Sequence, residues 1–180
     1  IITLILLPFL IILIVILFWS WTLRKKVAEK TAELQKELNE RKKTEQQLLH
    51  EKSLLNSMIN TIPDLIFFKN KEGIYIGCNE AFSKFNNMKP EDIIGRNDLS
   101  IFSGSKAKEY YETDSNIIKN NQLYRMESWE VNAHGERVLL DTLKVPYTDE
   151  DGKPLGIVGV CHDITNRYQT EIDLKKAKER

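Results

Sequence analysis

The chain has 180 residues, and its 26 basic and 26 acidic side chains give a formal charge of zero at neutral pH. This balance excludes the overall basic excess that is typical of nucleic-acid-binding proteins, so we expect no nucleic-acid partner. The two cysteines are too few for a disulfide framework, and such a low count is common in reducing compartments. The composition changes from an apolar start through a charged stretch to a globular part of roughly 110 residues, enough for one domain.

The first segment, residues 1–23, is almost wholly apolar, carries no charge and is long enough to cross a bilayer as a helix. Trp19 and Trp21 precede the basic run Arg24–Lys26, an order that is typical of the cytoplasmic end of a membrane span. We therefore predict a transmembrane helix of the inner membrane, with the rest of the chain on the cytoplasmic side. A buried core helix is the alternative. Because the chain does not begin with Met, we also expect it to be a piece of a longer protein or a processed product.

Residues 24–62 are rich in good helix formers and contain neither Gly nor Pro. Apolar residues recur at heptad spacing towards both ends of this segment, whereas polar residues occupy the same seam near its middle. We predict a connecting helix that forms a parallel coiled coil with a second copy, and its seam includes Leu34, Leu38, Leu55 and Ile59. A solvated single helix is the alternative, although a helix so polar on its other faces is marginal alone.

Residues 63–165 have the pattern of an α+β domain. Two short apolar runs around a Gly-containing turn predict a β-hairpin. Short helices follow, with Asn79 as the expected N-cap of the first, and the longest predicted helix covers residues 105–121. Three further strands, separated by turns that contain Gly, complete a predicted antiparallel sheet.

Several stretches of this part resemble the PAS domain family, namely IPDLIFFKNKEGIYIGCNEAFSKF, PEDIIGR, SWEVNAHGERVLL and KVPYTDEDGKPLGIVGVCHDITNR. The last stretch is the most specific, because it combines a strand pair with a DIT ending. The resemblance implies a five-stranded antiparallel sheet in the spatial order two-one-five-four-three, with short helices on one face that enclose a small cavity. It also implies a sensing or dimerising role, since PAS domains rarely catalyse.

The order of membrane helix, charged helix and PAS domain resembles a membrane-bound sensor histidine kinase of the hybrid, respiratory or redox-sensing kind. Residues 166–180 resemble the start of the signalling helix towards the kinase core. The resemblance implies a sensory segment whose partners are a second copy in a parallel homodimer, C-terminal kinase domains and a response regulator. Two alternatives remain, a passive PAS dimerisation or spacer module and the PAS sensor of a diguanylate cyclase. The signal itself and the output domain are not determined by this sequence.

Catalytic and metal centres are not predicted. The chain has no recognisable catalytic motif and no cluster of ligands at metal-binding spacing. Haem-binding PAS domains usually offer a His from the long helix, and the predicted long helix contains none. The GxNCRFLQ-type motif of photoactive flavin domains is also missing. We therefore expect neither haem nor photoactive flavin, whereas a small ligand in the PAS cavity stays open.

Cys78 is the redox candidate. By resemblance to kinases that report respiratory state, it would act as a redox switch; by its place at a predicted strand end, it would be a small buried side chain. The implied strand order separates Cys78 from Cys161 by the first strand, so we expect no disulfide between the two within one domain.

The junction HDITNR provides the candidates for signal transmission, which are Asp163, Thr165 and Arg167. Thr165 is the expected N-cap of the outgoing helix, and Asp163 can accept amide hydrogens or pair with Arg167. By resemblance to the family, these contacts would fix the angle between the sheet and the outgoing helix. The alternative is that Asp163 merely terminates the strand.

Overall fold

The computed structural model describes residues 2–102 and 104–179, with the side chains of residues 13–102 and 104–179. Contacts divide the chain into two compact units, Ile1–Leu54 and Leu55–Arg180. In chain order the elements are α1 (Ile2–Thr61), β1 (Leu65–Asn70), β2 (Tyr75–Cys78), α2 (Glu80–Phe85), α3 (Pro90–Ile93), α4 (Asp98–Ile101), α5 (Ser105–Asn120), β3 (Tyr124–Val131), β4 (Arg137–Thr148), β5 (Pro154–Asp163) and α6 (Thr165–Lys178).

Helix α1 forms the first unit and continues into the second. It ends at Thr61 because Pro63 lacks a backbone donor and disfavours the helical conformation in Ile62. The predicted seam residues Leu34 and Leu38 are exposed on the helix, and a coiled coil is not shown. Within the described part of the chain, no helix is long and apolar enough to cross a membrane. The side chains of residues 1–12, half of the predicted span, lie outside the described ones.

The sheet confirms the predicted α+β class and the predicted spatial order of strands, β2-β1-β5-β4-β3. All neighbouring pairs are antiparallel. Strand β5 lies at the centre, between β1 and β4, and pairs with both over most of its length. The last strand of the domain therefore contacts both halves of the sheet just before α6 begins.

The short helices cover the buried face of the sheet. One core cluster joins side chains of the central strands to side chains of the helices, with Phe67, Leu140 and Cys161 on the strands and Phe82 and Ile117 on α2 and α5. As predicted, Asn79 caps α2, since its side chain accepts the backbone N–H of Phe82. Helix α4 was not predicted from the sequence; its first turn is closed by a capping box.

Gly159, at the centre of β5, allows the ring of Phe67 to approach the sheet. The two residues are opposite each other in the β1–β5 pair. A Cβ atom at position 159 would lie 2.1 Å from the Phe67 ring, a distance that non-bonded carbons do not reach. The lack of a side chain at position 159 therefore allows the Phe67 ring to lie against β5 in the core.

Candidate functional site

A cavity of about 350 Å³ lies between the sheet and the helices of the second unit. Side chains alternate along a strand, so one face of β1, β3 and β4 contributes every second residue to the lining. Its apolar wall includes Leu65, Phe67, Phe82, Tyr110, Leu140 and Cys161. This volume and this largely apolar wall are typical of a site for a small molecule.

A buried charge cluster borders the cavity; we define it as Lys69, Asp98, Asp114 and Lys144, of which all but Asp114 line the cavity. The ammonium of Lys69 contacts both carboxylate oxygens of Asp98, at 2.7 and 2.6 Å, and Oδ2 of Asp114 at 2.6 Å. The ammonium of Lys144 contacts Oδ1 of Asp114 at 2.6 Å. The hydroxyl of Tyr75 donates to Oδ1 of Asp98 at 2.8 Å. Three strands and two helices are thereby joined by charge-assisted hydrogen bonds.

Each charge of the cluster is stabilised by its oppositely charged partners, so removal of one member leaves one buried charge of the opposite sign in excess. Relative exposure is 1% for Lys69, Asp98 and Asp114 and 6% for Lys144. Charges removed from water to this degree need partners, because an unpaired buried charge costs several kcal/mol. The same environment acts on Tyr75, whose pKa is raised first by burial and then by the neighbouring charge of Asp98. The phenol therefore stays protonated and remains a hydrogen-bond donor.

A second polar group lies at another part of the lining, around Glu130 on β3. This carboxylate accepts hydrogen bonds from Lys106 at 2.5 Å and from Ser128 at 3.1 Å. Burial, and then the charge of Glu130, raise the pKa of the cavity-lining Tyr110. Because Lys106 is on α5 and Glu130 is on β3, the pair connects the longest helix of the domain to the edge of the sheet.

The two cysteines lie on strands at opposite sides of β1. This confirms the strand arrangement from which we expected no disulfide between them. Cys78 is paired with Phe67, and Cys161 with Leu65. The structure brings Cys161, rather than Cys78, into the cavity lining. Burial raises the pKa of both thiols, which lowers the fraction of reactive thiolate. The redox role of Cys78 stays a prediction.

The junction between β5 and α6 differs in part from the sequence prediction. The cap position of α6 is Ile164, whose own side chain makes no capping hydrogen bond, so the prediction that Thr165 is the N-cap is wrong. Thr165 is the first helical residue, and its hydroxyl instead accepts the N–H of Leu139 on β4 at 2.9 Å. The N–H of Ile164 donates to the carbonyl of the same Leu139 at 2.9 Å.

The other two junction candidates have separate partners. The side chain of Asp163 accepts the amide hydrogen of Thr165 at 2.9 Å, as predicted. Arg167 contacts Glu171 at 3.1 Å, one helical turn further on, rather than Asp163. Of the two alternatives for Asp163, the structure therefore shows the contact with the backbone amide at the start of α6 and not the pair with Arg167.

The start of the domain is held by Asn79, which the sequence suggested only as a cap. Its side-chain amide is fully buried and donates to three backbone carbonyls around the end of α1, at Ile59, Ile62 and Asp64. Its carbonyl oxygen also accepts the N–H of Ile66 on β1 at 3.0 Å. One side chain thus ties the last turn of α1 to the first strand and to α2.

Sequence reasoning missed the buried charge cluster, although a signal for it was present. Lys144 alternates with Leu140 and Thr142 along the cavity face of β4, and Asp114 shares a helical face with the buried Ala107 and Ile117. A charged residue in the register of a buried face indicates a buried charge. The sequence did not show which charges meet, since that depends on the packing of α4 and α5 against the sheet.

Comparison with known proteins agrees with this fold. The family model described as PAS fold matches residues 59–169, and the chain belongs to this family. The aerobic respiration control sensor protein ArcB of Escherichia coli (strain K12) is 29% identical over 125 residues, which are 69% of this chain and 16% of that protein. The methanogenesis regulatory histidine kinase FilI of Methanothrix harundinacea (strain 6Ac) is 25% identical over 134 residues, 73% of this chain and 15% of that protein.

Among solved structures, the PAS domain of Bordetella pertussis BvgS is similar, with a TM-score of 0.58 and 22% sequence identity. The match covers 72% of this chain and 98% of that domain, and it shows the shared fold. The chain spans less than a fifth of the length of the curated relatives it matches. Its similarity to sensor proteins and to a regulatory histidine kinase is consistent with a sensory role.

Proposed function

We propose that this chain is the sensory and signal-transmitting segment of a transmembrane two-component sensor histidine kinase of the hybrid type. The observation that carries the proposal is the position of β4. Leu140, Thr142 and Lys144 of this strand line the cavity, while the backbone of the adjacent Leu139 binds residues 164 and 165 at the start of α6. A shift of β4 caused by cavity contents would therefore move the start of the outgoing helix.

The wider arrangement follows from the amino-acid sequence. Residues 1–23 would span the inner membrane, with the PAS domain on the cytoplasmic side, because the basic run after them favours that side. The seam Leu34, Leu38, Leu55 and Ile59 would face a second copy in a parallel homodimer. Kinase domains would follow α6 and transfer phosphate to a response regulator. The relatives ArcB and FilI, a respiration control sensor and a histidine kinase, support this reading.

The transmission step is tested in the full-length receptor with two threonines of α6. Thr165→Val removes the acceptor of the Leu139 N–H, whereas Thr170→Val removes a hydroxyl that only contacts Asn166 on the same exposed helix. We expect Thr165→Val to flatten signal-dependent autophosphorylation and Thr170→Val to leave it within about twofold of the unaltered receptor. Equal responses in the two variants would contradict transmission through this junction.

The passive spacer is the second candidate, and filling the cavity separates it from a sensor. Leu140→Trp places a larger, aromatic side chain in the cavity, whereas the contacts of Leu139 with residues 164 and 165 are made by backbone atoms. A sensor is expected to change its autophosphorylation, whereas a passive spacer would keep normal output as long as the variant is folded. The diguanylate cyclase alternative is decided by assaying the full-length protein for phosphotransfer and for cyclic dinucleotide synthesis.

The proposed dimer and redox roles have their own tests. Cys substituted at Leu34 or Leu55 should cross-link two copies, and Cys at the exposed Lys36 should not. For the redox role, Cys78→Ser should abolish the response of the full-length receptor to an oxidant. An unchanged response would return Cys78 to a packing role.

A further inference from the structure

The two lysines of the buried charge cluster differ in the number of carboxylate oxygens that they contact. A lysine ammonium has three N–H donors. Those of Lys69 are engaged by three carboxylate oxygens, two from Asp98 and one from Asp114. Among the described residues, Lys144 contacts one carboxylate oxygen, that of Asp114. Lys144 therefore has donor capacity left, although its exposure is only 6%.

The ammonium of Lys144 points into the cavity. Its nitrogen lies 5.4 Å from the centre of the Tyr110 ring and 5.9 Å from that of the Phe67 ring, and both rings line the cavity. A hydrogen-bond acceptor beside this ammonium would have aromatic rings on two sides. Aromatic walls favour a flat ring as the body of such a molecule.

The charged side chains around the cavity favour a ligand of a particular net charge. Three cations line it, Lys69, Lys106 and Lys144, together with three carboxylates, Asp98, Glu109 and Glu130. Asp114, behind Lys69 and Lys144, adds a fourth negative charge to this set. These three cations and four carboxylates leave one net negative charge, which an anionic ligand would increase, while a cationic group placed beside the ammonium of Lys144 would be repelled by it. A neutral molecule avoids both costs.

From these observations we propose that Lys144 is the ligand-recognising residue of the cavity, and that the ligand class is a neutral ring compound with a carbonyl-type acceptor. The cavity volume equals about 12 water molecules of liquid at about 30 Å³ each, so the ligand has about a dozen non-hydrogen atoms. The buried charge cluster holds Lys144 in place through Asp114, which itself is fixed by Lys69. This inference rests on the proposed sensory function of the same cavity.

Four probes with a common ring system test the inference by calorimetry on the purified 180-residue chain. They are 2-naphthamide, 2-naphthoate, 2-ethylnaphthalene and 2-(aminomethyl)naphthalene, which differ in charge and in the acceptor at nearly constant size. We expect 2-naphthamide to bind at least about tenfold more tightly than 2-ethylnaphthalene, the factor for one hydrogen bond to a charged group. We also expect it to bind more tightly than 2-naphthoate and 2-(aminomethyl)naphthalene, because each of these brings an additional charge into the cavity. Equal affinity for 2-ethylnaphthalene, tighter binding of the anion or cation, or no binding of any probe would overturn the inference.

The double variant Asp114→Asn/Lys144→Met assigns the effect to Lys144, because it removes one charge of each sign and keeps the volume of both side chains. We expect it to lose the preference for 2-naphthamide over 2-ethylnaphthalene. Lys108→Met is the matched control, since Lys108 lies on the same helix as Asp114 but is exposed, is paired with Glu112 and does not line the cavity; it should keep the preference for 2-naphthamide. A preserved preference in the double variant would contradict the role of Lys144.

Failure of this inference and failure of the proposed function are distinguishable. The probes report binding to the chain, whereas the Thr165→Val test reports kinase output of the full-length receptor. Absence of probe binding together with a flattened output in Thr165→Val would reject the ligand class and leave the sensory function. If the double variant does not fold, the comparison of the four probes on the unaltered chain still decides the question.

Discussion

The imidazole Nδ1 of His162 lies 2.6 Å from the carboxylate of Asp64, although 98 positions separate the two residues in sequence. Asp64 follows the end of α1 by three residues, and His162 precedes the start of α6 by three. The pair therefore joins the place where the chain enters the domain to the place where it leaves. The hydrogen bond to Asp64 and then the charge of Asp64 raise the pKa of His162.

This pair predicts a pH dependence of stability. Because the folded pKa of His162 is above its unfolded value of about 6.5, the stabilisation is fully present below about pH 6.5. It is lost as the pH rises through the higher pKa of the folded state. The imidazole is mostly exposed, so we expect less than about 1 kcal/mol. His162→Asn should flatten the change in unfolding free energy between pH 6 and 9, as followed by denaturant unfolding.

His134→Asn is the control for this prediction, since His134 lies in the turn between β3 and β4, away from Asp64. It should keep the pH dependence of the unaltered chain. If His162→Asn also kept it, the contact with Asp64 would not contribute to stability.

Substitution of Lys69 is predicted to lower the free energy of unfolding strongly. Lys69→Met leaves the buried carboxylates of Asp98 and Asp114 without their shared cation, and breaking a buried ion pair costs about 3–5 kcal/mol. Lys106→Met breaks a partly exposed pair and should cost less than about 1 kcal/mol. Denaturant unfolding of the two variants measures the difference. Similar losses in both would show that burial does not determine the contribution of these pairs.

Gly159→Ala is predicted to destabilise the core, because the added methyl group would overlap the ring of Phe67. Overpacking of this kind costs about 1–3 kcal/mol. Gly77→Ala is the matched control, as its Cβ would lie 3.4 Å from the Phe68 ring, near ordinary contact. Thermal unfolding should rank the two variants accordingly, and Phe67→Leu in the Gly159→Ala background should restore part of the loss. A neutral Gly159→Ala would contradict the assigned packing.

The two thiols are predicted to react at different rates in the folded chain. Burial raises the pKa of both, but Cys161 is buried in the cavity wall whereas Cys78 is half-buried at the end of β2. Iodoacetamide should therefore modify Cys78 faster than Cys161, and both more slowly than in the unfolded chain. Mass spectrometry of peptides after timed labelling measures these rates. Faster modification of Cys161 would show that the cavity opens to solvent more readily than the edge of the sheet.

Much of the fold was predictable from local patterns. Alternation and Gly-containing turns gave the strands, and the side chain of Asn79 gave the start of α2. The resemblance to PAS domains supplied the strand order, which periodicity alone does not contain. The partner of Thr165 was missed because it depends on long-range geometry, whereas Glu171, the partner of Arg167, stands at the local i,i+4 helical spacing and was predictable from the sequence. The hydroxyl of Thr165 finds a strand amide 26 positions away, and no local rule identifies such a partner.

Leu139 contributes only its peptide group to the contacts with Ile164 and Thr165. The connection between the sheet and α6 therefore does not depend on which side chain stands at position 139, provided that the strand keeps its path. Replacement of Leu139 by another residue that has a backbone N–H would leave the hydrogen bonds to residues 164 and 165 in place. A one-residue slip of β4 would remove both hydrogen bonds together.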